Sequence, residues 1–260
     1  MKALDKPIAS GRTAEVYAWD EGTVLKLFYA WCPTHWADQE TRTARLVNQA
    51  GIPSPAILDL VTVNERQGIV YQRIEGPSML DAIIKNPLMS LNHARKLALL
   101  HAEMHRCAGD ELASQRSSVA WAINHARNLS DECRQVILDK LKHLPDGERL
   151  CHGDFHPGNI IMTRQGPLVI DWMTAVRGNP AADIARTYLM LSLGDAPEGG
   201  IILKLILLMR KMIVREYLNA YSSQAPDFVK QFKDWLPVMA AARLNENIAS
   251  EKDKLLKLVQ

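Results

Sequence analysis

The chain has 260 residues, enough for one large domain or two smaller lobes. Hydrophobic residues make up 47% and charged residues 23%, which excludes a disordered, collagen-like or coiled-coil chain. With 31 Lys+Arg against 29 Asp+Glu the net charge is +2, too balanced to point to nucleic acid or a membrane surface as partner.

Met1 to Gly11 carries no apolar core of the kind a secretory leader needs. Ala14–Trp19 and Thr23–Phe28 are β-rich runs around Asp20-Glu21-Gly22, which predicts a hairpin. Thr34–Ala50 predicts a helix with Trp36, Ala44 and Val47 on its apolar face and Gly51 as its terminator. Ile57–Val63 and Ile69–Arg73 predict a second strand pair around Asn64–Gly68, and Ile74–Pro77 reads as a linker. Helices follow. Ser78-x-x-Asp81 is a capping signature ahead of Ala82–Ile84. Leu91–Cys107 aligns Leu91, Ala94, Leu97, Ala98, His101, Met104 and His105 on one face, and Asp131–Leu144 is also amphipathic.

A short β island interrupts the helices at Arg149–Cys151, Ile160–Thr163 and Leu168–Ile170, with Gln165-Gly166 as a turn. From Pro180 onward the pattern is helical again. The longest apolar stretch, Ile201–Val214, is broken by Lys204, Arg210 and Lys211 and is too short to cross a membrane. Cys32, Cys107, Cys133 and Cys151 are far apart and form no C-x-x-C pair, so they read as reduced thiols of a cytoplasmic protein. The expected fold is α+β, with a small β-rich N-lobe (residues 1–76), a larger helical C-lobe (77–260) and a site in the cleft between them.

The β island reads Cys151-His152-Gly153-Asp154-Phe155-His156-Pro157-Gly158-Asn159-Ile160-Ile161, and Ile170-Asp171-Trp172 follows ten residues later. Asp154 and Asp171 offer hard carboxylate oxygens and Asn159 an amide oxygen, beside the tight turns that Gly and Pro mark. Mg²⁺ favours a set of one or two carboxylates completed by water and phosphate. Glu40 falls on the apolar face of its helix, and an inward carboxylate needs a cation.

H-G-D-x-x-x-x-N followed by I-D-W resembles the aminoglycoside phosphotransferase and choline kinase family, a branch of the protein-kinase-like fold. Gly11–Tyr17 resembles that family's nucleotide loop, and Val24-Leu25-Lys26 its lysine-bearing strand. Leu100–His105 resembles the helix before the catalytic loop, and Gly178–Ala185 the helix after the metal-binding aspartate. The resemblance runs from about residue 10 to 190, the last seventy residues showing no motif, and implies a two-lobed kinase-like fold. It implies an enzyme that moves the γ-phosphoryl group of ATP or GTP, with Mg²⁺, to a hydroxyl of an antibiotic, amino alcohol, amino acid or sugar. In that reading Asp154 accepts or orients the acceptor proton and His156 assists it. Asn159 and Asp171 hold Mg²⁺, Lys26 paired with Glu40 meets the phosphates, and Ser10, Gly11, Arg12 and Thr13 line the nucleotide loop.

The loop has one glycine in place of G-x-G-x-x-G, Asp171-Trp172-Met173 stands for D-F-G, and A-P-E is missing, which argues against a protein-directed kinase. A non-catalytic binding module is the other alternative, and the presence of Lys26, Asp154, Asn159 and Asp171 argues against it. His101 and His105 stand i, i+4, but Ala102 replaces the Glu of a zinc motif, so they read as packing residues. Asp183 is expected to bond backbone near the catalytic loop, and His152 and Trp172 to belong to the scaffold. The ten Lys and Arg from Lys204 to Lys257 outnumber the acids of residues 195–260, which disfavours a polycationic acceptor.

Overall fold

The computed structural model describes residues 4–194 and 200–259. Residues 1–3 of the N-terminal segment, and 195–199 at the start of the segment that showed no motif, lie outside the described residues. The chain divides into two compact units: Met1–Asp81 with Gly158–Met173, and Ala82–Pro157 with Thr174–Gln260. This differs from a contiguous division at residue 76, because the hairpin carrying Asn159 and ending at Asp171 groups with the N-terminal strands.

The first unit is built on an antiparallel five-stranded sheet of order β1-β2-β3-β5-β4. Its strands are β1 (Ala9–Ser10), β2 (Ala14–Ala18), β3 (Thr23–Phe28), β4 (Ile57–Val63) and β5 (Arg66–Gln72). Period-two alternation sends Leu25, Leu27 and Val70 to one face, where they pack with Tyr17. Phe28 and Ile69 go to the other, against Ala37 of helix α1 (His35–Gln49). α1 ends as the Gly51 signal predicts: Gly51 has φ +77°, its amide donates to Asn48 O, and Ile52 N–H donates to Val47 O, a Schellman motif.

The β4–β5 turn is tighter than Asn64–Gly68. Val63 pairs with Arg66, so Asn64 and Glu65 alone make the turn, both at positive φ as a primed hairpin turn requires. Gly68 therefore lies inside β5, where a Cβ would come within 2.7 Å of the Leu25 side chain. The sequence signal was real, but the glycine serves close packing and not the turn.

The second small hairpin, β7 (Ile160–Thr163) and β8 (Gly166–Val169), also belongs to this unit. Thr163 pairs with Gly166, so Arg164-Gln165 is the turn, one residue earlier than expected. Ser78 pairs with Ile161, and Met162 N–H donates to Pro77 O. Ser78 Oγ also caps α2 (Met79–Lys85), accepting from Asp81 N–H at 3.0 Å and donating to the Asp81 carboxylate at 2.6 Å.

The second unit is mainly helical: α3 (Ser90–Met104), α4 (Gln115–His125), α5 (Asp131–His143), α6 (Pro180–Leu193), α7 (Gly200–Ser222), α8 (Pro226–Arg243) and α9 (Lys252–Val259). α3 packs on α7, and α6 on α8. The helix α4 was not read from sequence: its weakly segregated pattern leaves only Gln115, Val119 and Ile123 buried. On α3 the expected face is buried from Ala94 to Met104, but Leu91 is exposed. No helix among the described residues is long and apolar enough to cross a membrane, and Cys32, Cys107, Cys133 and Cys151 are all free thiols.

The loop that bears Asp154 leaves β6 (Arg149–Cys151), which pairs with β9 (Val176–Gly178), a strand too short to show in the sequence. The loop is held from α6 by Asp183, which is fully buried. One carboxylate oxygen accepts from His152 N–H at 2.7 Å, from His101 Nε2 at 3.1 Å and from His105 Nε2 at 3.2 Å. The other accepts from Gly153 N–H at 2.9 Å. The Nδ1 atoms of His101 and His105 accept from the Tyr217 and Tyr221 hydroxyls of α7, at 2.7 and 2.6 Å.

Though His101, His105 and Asp183 lie close enough to surround an ion, every ring nitrogen of the pair is engaged by protein. The packing reading of the histidines therefore describes what is seen. Gly153 has φ +76°, and a Cβ there would sit 2.4 Å from Thr174 O, so the loop demands glycine at this point.

Burial, reinforced by His105, holds the His101 imidazole down to about 3 despite the opposing pull of Asp183. His101 is thus neutral in the fold at neutral pH. Between its ordinary pKa of 6.5 and about 3 the unfolded chain binds a proton that the folded chain refuses, so stability falls as pH is lowered through this window. Asp183, held well below its ordinary value against burial by the two histidines, adds to the loss in the same direction below about pH 4. Thermal unfolding followed from pH 7 to 5 is expected to show a falling Tm. A His101→Gln variant, less stable overall, is expected to show a shallower pH slope; an equal slope would contradict the assignment.

Candidate functional site

Lys26 lies on β3 with Val16 and Ile69 as cross-strand neighbours. Its parity places it on the α1 face. Its Nζ donates to both Glu40 carboxylate oxygens, at 2.7 and 2.8 Å, and to Asp171 Oδ1 at 2.9 Å. Glu40 is buried, 1% exposed, as its helical phase requires. Burial alone would lower the lysine pKa, but the Glu40 and Asp171 carboxylates outweigh it and the ammonium is held above its ordinary value.

Sequence reasoning missed Tyr71, whose hydroxyl donates to Glu40 Oε1 at 2.8 Å. Strand parity carries the signal: Ile69 pairs with Lys26, and Tyr71, two residues on, shares its face. Burial, then the neighbouring Glu40 carboxylate, pushes the phenol well above its ordinary pKa, so Tyr71 remains a donor.

Asp171 follows β8 with φ +64°, the left-handed region that Asp tolerates better than most side chains. Its side chain is 46% exposed. Asn159 ends a short 3₁₀ turn, Pro157–Asn159, and is 9% exposed. Ile170 N–H donates to Asn159 O at 3.0 Å, so the two chain segments bearing Asn159 and Asp171 are tied side by side. Trp172 is buried and donates from its indole to Val169 O, as a scaffold residue does.

At the nucleotide-loop candidates, Ser10 pairs with Glu15 at the edge of the sheet. Gly11 N–H donates to Ala14 O at 2.8 Å, so this amide closes its own turn and is not a phosphate donor in this conformation. Thr13 O accepts from Tyr29 N–H and from the Cys32 thiol. Ser10, Gly11 and Arg12 are exposed, Thr13 half-buried.

In the other unit Asp154 forms a separate cluster. Its amide donates to His152 Nδ1 at 3.2 Å. Its carboxylate faces His156 Nε2 at 3.5 Å on one oxygen and Arg186 Nη2 at 3.4 Å on the other. Burial would raise the carboxyl pKa, but the His156 hydrogen bond and the Arg186 charge reverse this and hold it far below the usual carboxylate range. Asp154 is therefore an ionised acceptor of protons or hydrogen bonds, with 29% of its side chain open to solvent.

Sequence reasoning also missed Arg186 and Glu246, which share a contact of 2.7 Å. Glu246 lies within the segment that showed no motif, and a separation of 60 residues leaves no local pattern to find.

Residues 6–232 match the phosphotransferase enzyme family. Acyl-CoA dehydrogenase family member 10 of Mus musculus is 26% identical over 178 residues, which is 60% of this chain but only 17% of that protein. The fold is similar to that of a thermostable mutant of the aminoglycoside phosphotransferase APH(4)-Ia, solved with ADP and hygromycin B. The TM-score is 0.69 at 14% identity, over 98% of this chain and 92% of the other. It is also similar to amicoumacin kinase hAmiN in complex with AMP-PNP, Ca²⁺ and Ami, with a TM-score of 0.61 at 14% identity over 98% and 86% of the two chains. The family match covers most of the chain and includes every residue of both clusters except Glu246, and on that ground the chain belongs to the phosphotransferase enzyme family.

Proposed function

We propose that the protein is a Mg²⁺-dependent phosphotransferase that moves the γ-phosphoryl group of ATP or GTP to a hydroxyl of a small molecule. The observation that carries the reading is Lys26, bonded at once to Glu40 and Asp171. A partly buried ammonium set between a buried carboxylate and an exposed one is suited to meet phosphate oxygens. The nucleotide complexes of the similar folds support the same reading.

Asn159 and Asp171 fit Mg²⁺: both offer hard oxygen donors, and their segments are hydrogen-bonded side by side. These two residues would hold the ion, which would neutralise charge on the donor phosphates. The chain's own residues do the rest. Lys26 binds donor phosphate oxygens, with Glu40 and Tyr71 fixing its position. Asp154, ionised and partly open to solvent, accepts the hydrogen bond of the acceptor hydroxyl, orients it and takes its proton as the new ester bond forms. His156 supports that carboxylate from one side. Ser10, Gly11, Arg12 and Thr13 border the nucleotide, Gly11 by shaping the turn.

The acceptor is a hydroxyl-bearing metabolite or antibiotic: an amino alcohol, amino acid, sugar or aminoglycoside. The basic balance of the C-terminal residues argues against the most cationic of these. The free thiols support a reducing, cytoplasmic setting.

An acceptor screen read by loss of ATP or GTP tests the reading, with Asp154→Asn as control. The variant should lose about 10²–10⁴-fold in kcat with nucleotide KM nearly unchanged. Wild-type turnover in Asp154→Asn would remove Asp154 from the chemistry. Lys26→Met should instead raise the nucleotide KM, and unchanged binding would reject the lysine's role. Tyr71→Phe leaves Glu40 one hydrogen bond short, which should cost about 1 kcal/mol of stability and little activity, measured by denaturant unfolding and by the same assay.

A further inference from the structure

α6 presents Asp183 and Arg186 one turn apart, so both lie on one side of the helix. Asp183 grips the backbone of the Asp154 loop. Arg186 reaches the Asp154 side chain itself, with Nη2 at 3.4 Å from Oδ1. The same nitrogen donates to Glu246 Oε1 at 2.7 Å.

Glu246 closes a 3₁₀ turn, Leu244–Glu246, that follows α8, and Asn247 behind it takes φ +54°. Arg243 Nη1 lies 3.3 Å from Glu246 Oε2, and its Nε and Nη2 donate to the two oxygens of Glu251 at 2.6 and 2.9 Å. Arg243 and Glu251 are both buried. The result is a chain of alternating charge, Asp154–Arg186–Glu246–Arg243–Glu251, anchored at its far end by a bidentate pair.

We infer that Arg186 is a positioning residue for the phosphotransfer, holding the Asp154 carboxylate in its working orientation, and that Glu246 sets the reach of Arg186 from the C-terminal segment. This rests on the reading of Asp154 as the group that accepts the acceptor hydroxyl's proton. The geometry gives the reason. Glu246 takes the shorter bond, so Arg186 makes one long contact to Asp154 and not a bidentate pair. Arg186 thus meets Oδ1 alone, while Oδ2 faces His156 Nε2 at 3.5 Å. A bidentate arginine would occupy both oxygens and neutralise the base.

Burial opposes ionisation of Asp154, and the groups of its own unit that face it to favour the charge are His156 and His152 from its loop and Arg186 from α6. Glu246 opposes them through Arg186. The segment after residue 190, which carries no motif of the chemistry, thus has a task in it.

The test uses the full-length protein, with water as the phosphoryl acceptor and inorganic phosphate as the readout, under Mg²⁺ and ATP or GTP. Arg186→Met should lower kcat about a hundredfold, the scale of a misplaced reacting group, with nucleotide KM within about twofold. Arg186→Lys should recover a large part of the loss. In an Asp154→Asn background Arg186→Met should cause no further loss, because the arginine acts through that carboxylate. Glu246→Gln should also lower kcat at unchanged KM.

Full activity in a folded Arg186→Met, or an equal additional loss in the Asp154→Asn background, would overturn the inference. If wild type releases no phosphate from either nucleotide, that failure counts against the phosphotransfer reading. The Arg186 coupling is then decided by the ¹³C carboxyl signal of Asp154, assigned with Asp154→Asn. Its titration should move to higher pH in Arg186→Met, and an unmoved titration would overturn it.

Discussion

A carboxylate removed from water survives only if its oxygens are filled with donors, and Asp183 fills both. Two backbone amides and two imidazoles bond to it, and the imidazoles rest in turn on two tyrosine hydroxyls of α7. This network joins α3, α6, α7 and the loop at His152-Gly153 into one body. The aromatic stack of His101 on Phe155, with ring centroids 4.0 Å apart, closes it from above. Asp154 sits between two residues, Gly153 and Phe155, whose backbones are held by α6. A loop residue thereby gains a fixed geometry.

The same rule governs the other charged residues, with a different outcome at each. Lys26 has two carboxylate partners, and the buried Glu40 has a lysine and a phenol, so the carboxylate is satisfied. Asp171 is the member left open to solvent. A charge at such a position costs less desolvation than one enclosed by protein. Asp154 is likewise held by neighbours without being enclosed by them. In each unit a buried charge serves as anchor, and a carboxylate partly open to solvent stands at the end of the set.

Much of this was legible in sequence because it is local. Asp154, Asn159 and Asp171 show themselves through spacing and through the glycines and proline that shape the loop. Glu40 was found from helical phase, and Lys26 from the resemblance of Val24-Leu25-Lys26 to the family's lysine-bearing strand and its place between two apolar residues. Tyr71 was within reach of strand parity, but only once β5 was known to lie beside β3 in a particular register. Arg186 and Glu246 were out of reach, since 60 residues separate them and neither has a motif of its own. Gly68 misled for a physical reason: glycine answers to close packing as well as to turns, and two leucines decide which it is here. The short β9 and the weakly amphipathic α4 exist through tertiary partners, Cys151 opposite Val176 and the buried Gln115 against Gly178.

We propose that Lys26, Asn159 and Asp171 form a nucleotide site that depends on a divalent cation. The most direct measurement is the melting temperature with ATP and with GTP, each with and without Mg²⁺, in wild type and in Asp171→Ala. A nucleotide at a hundred times its Kd stabilises the folded state by about 2.7 kcal/mol, enough for a clear upward shift. A Mg²⁺-dependent rise is expected in wild type with at least one nucleotide, and a much smaller rise in Asp171→Ala. No rise with either nucleotide at millimolar concentration, or an equal rise in both proteins, would contradict it.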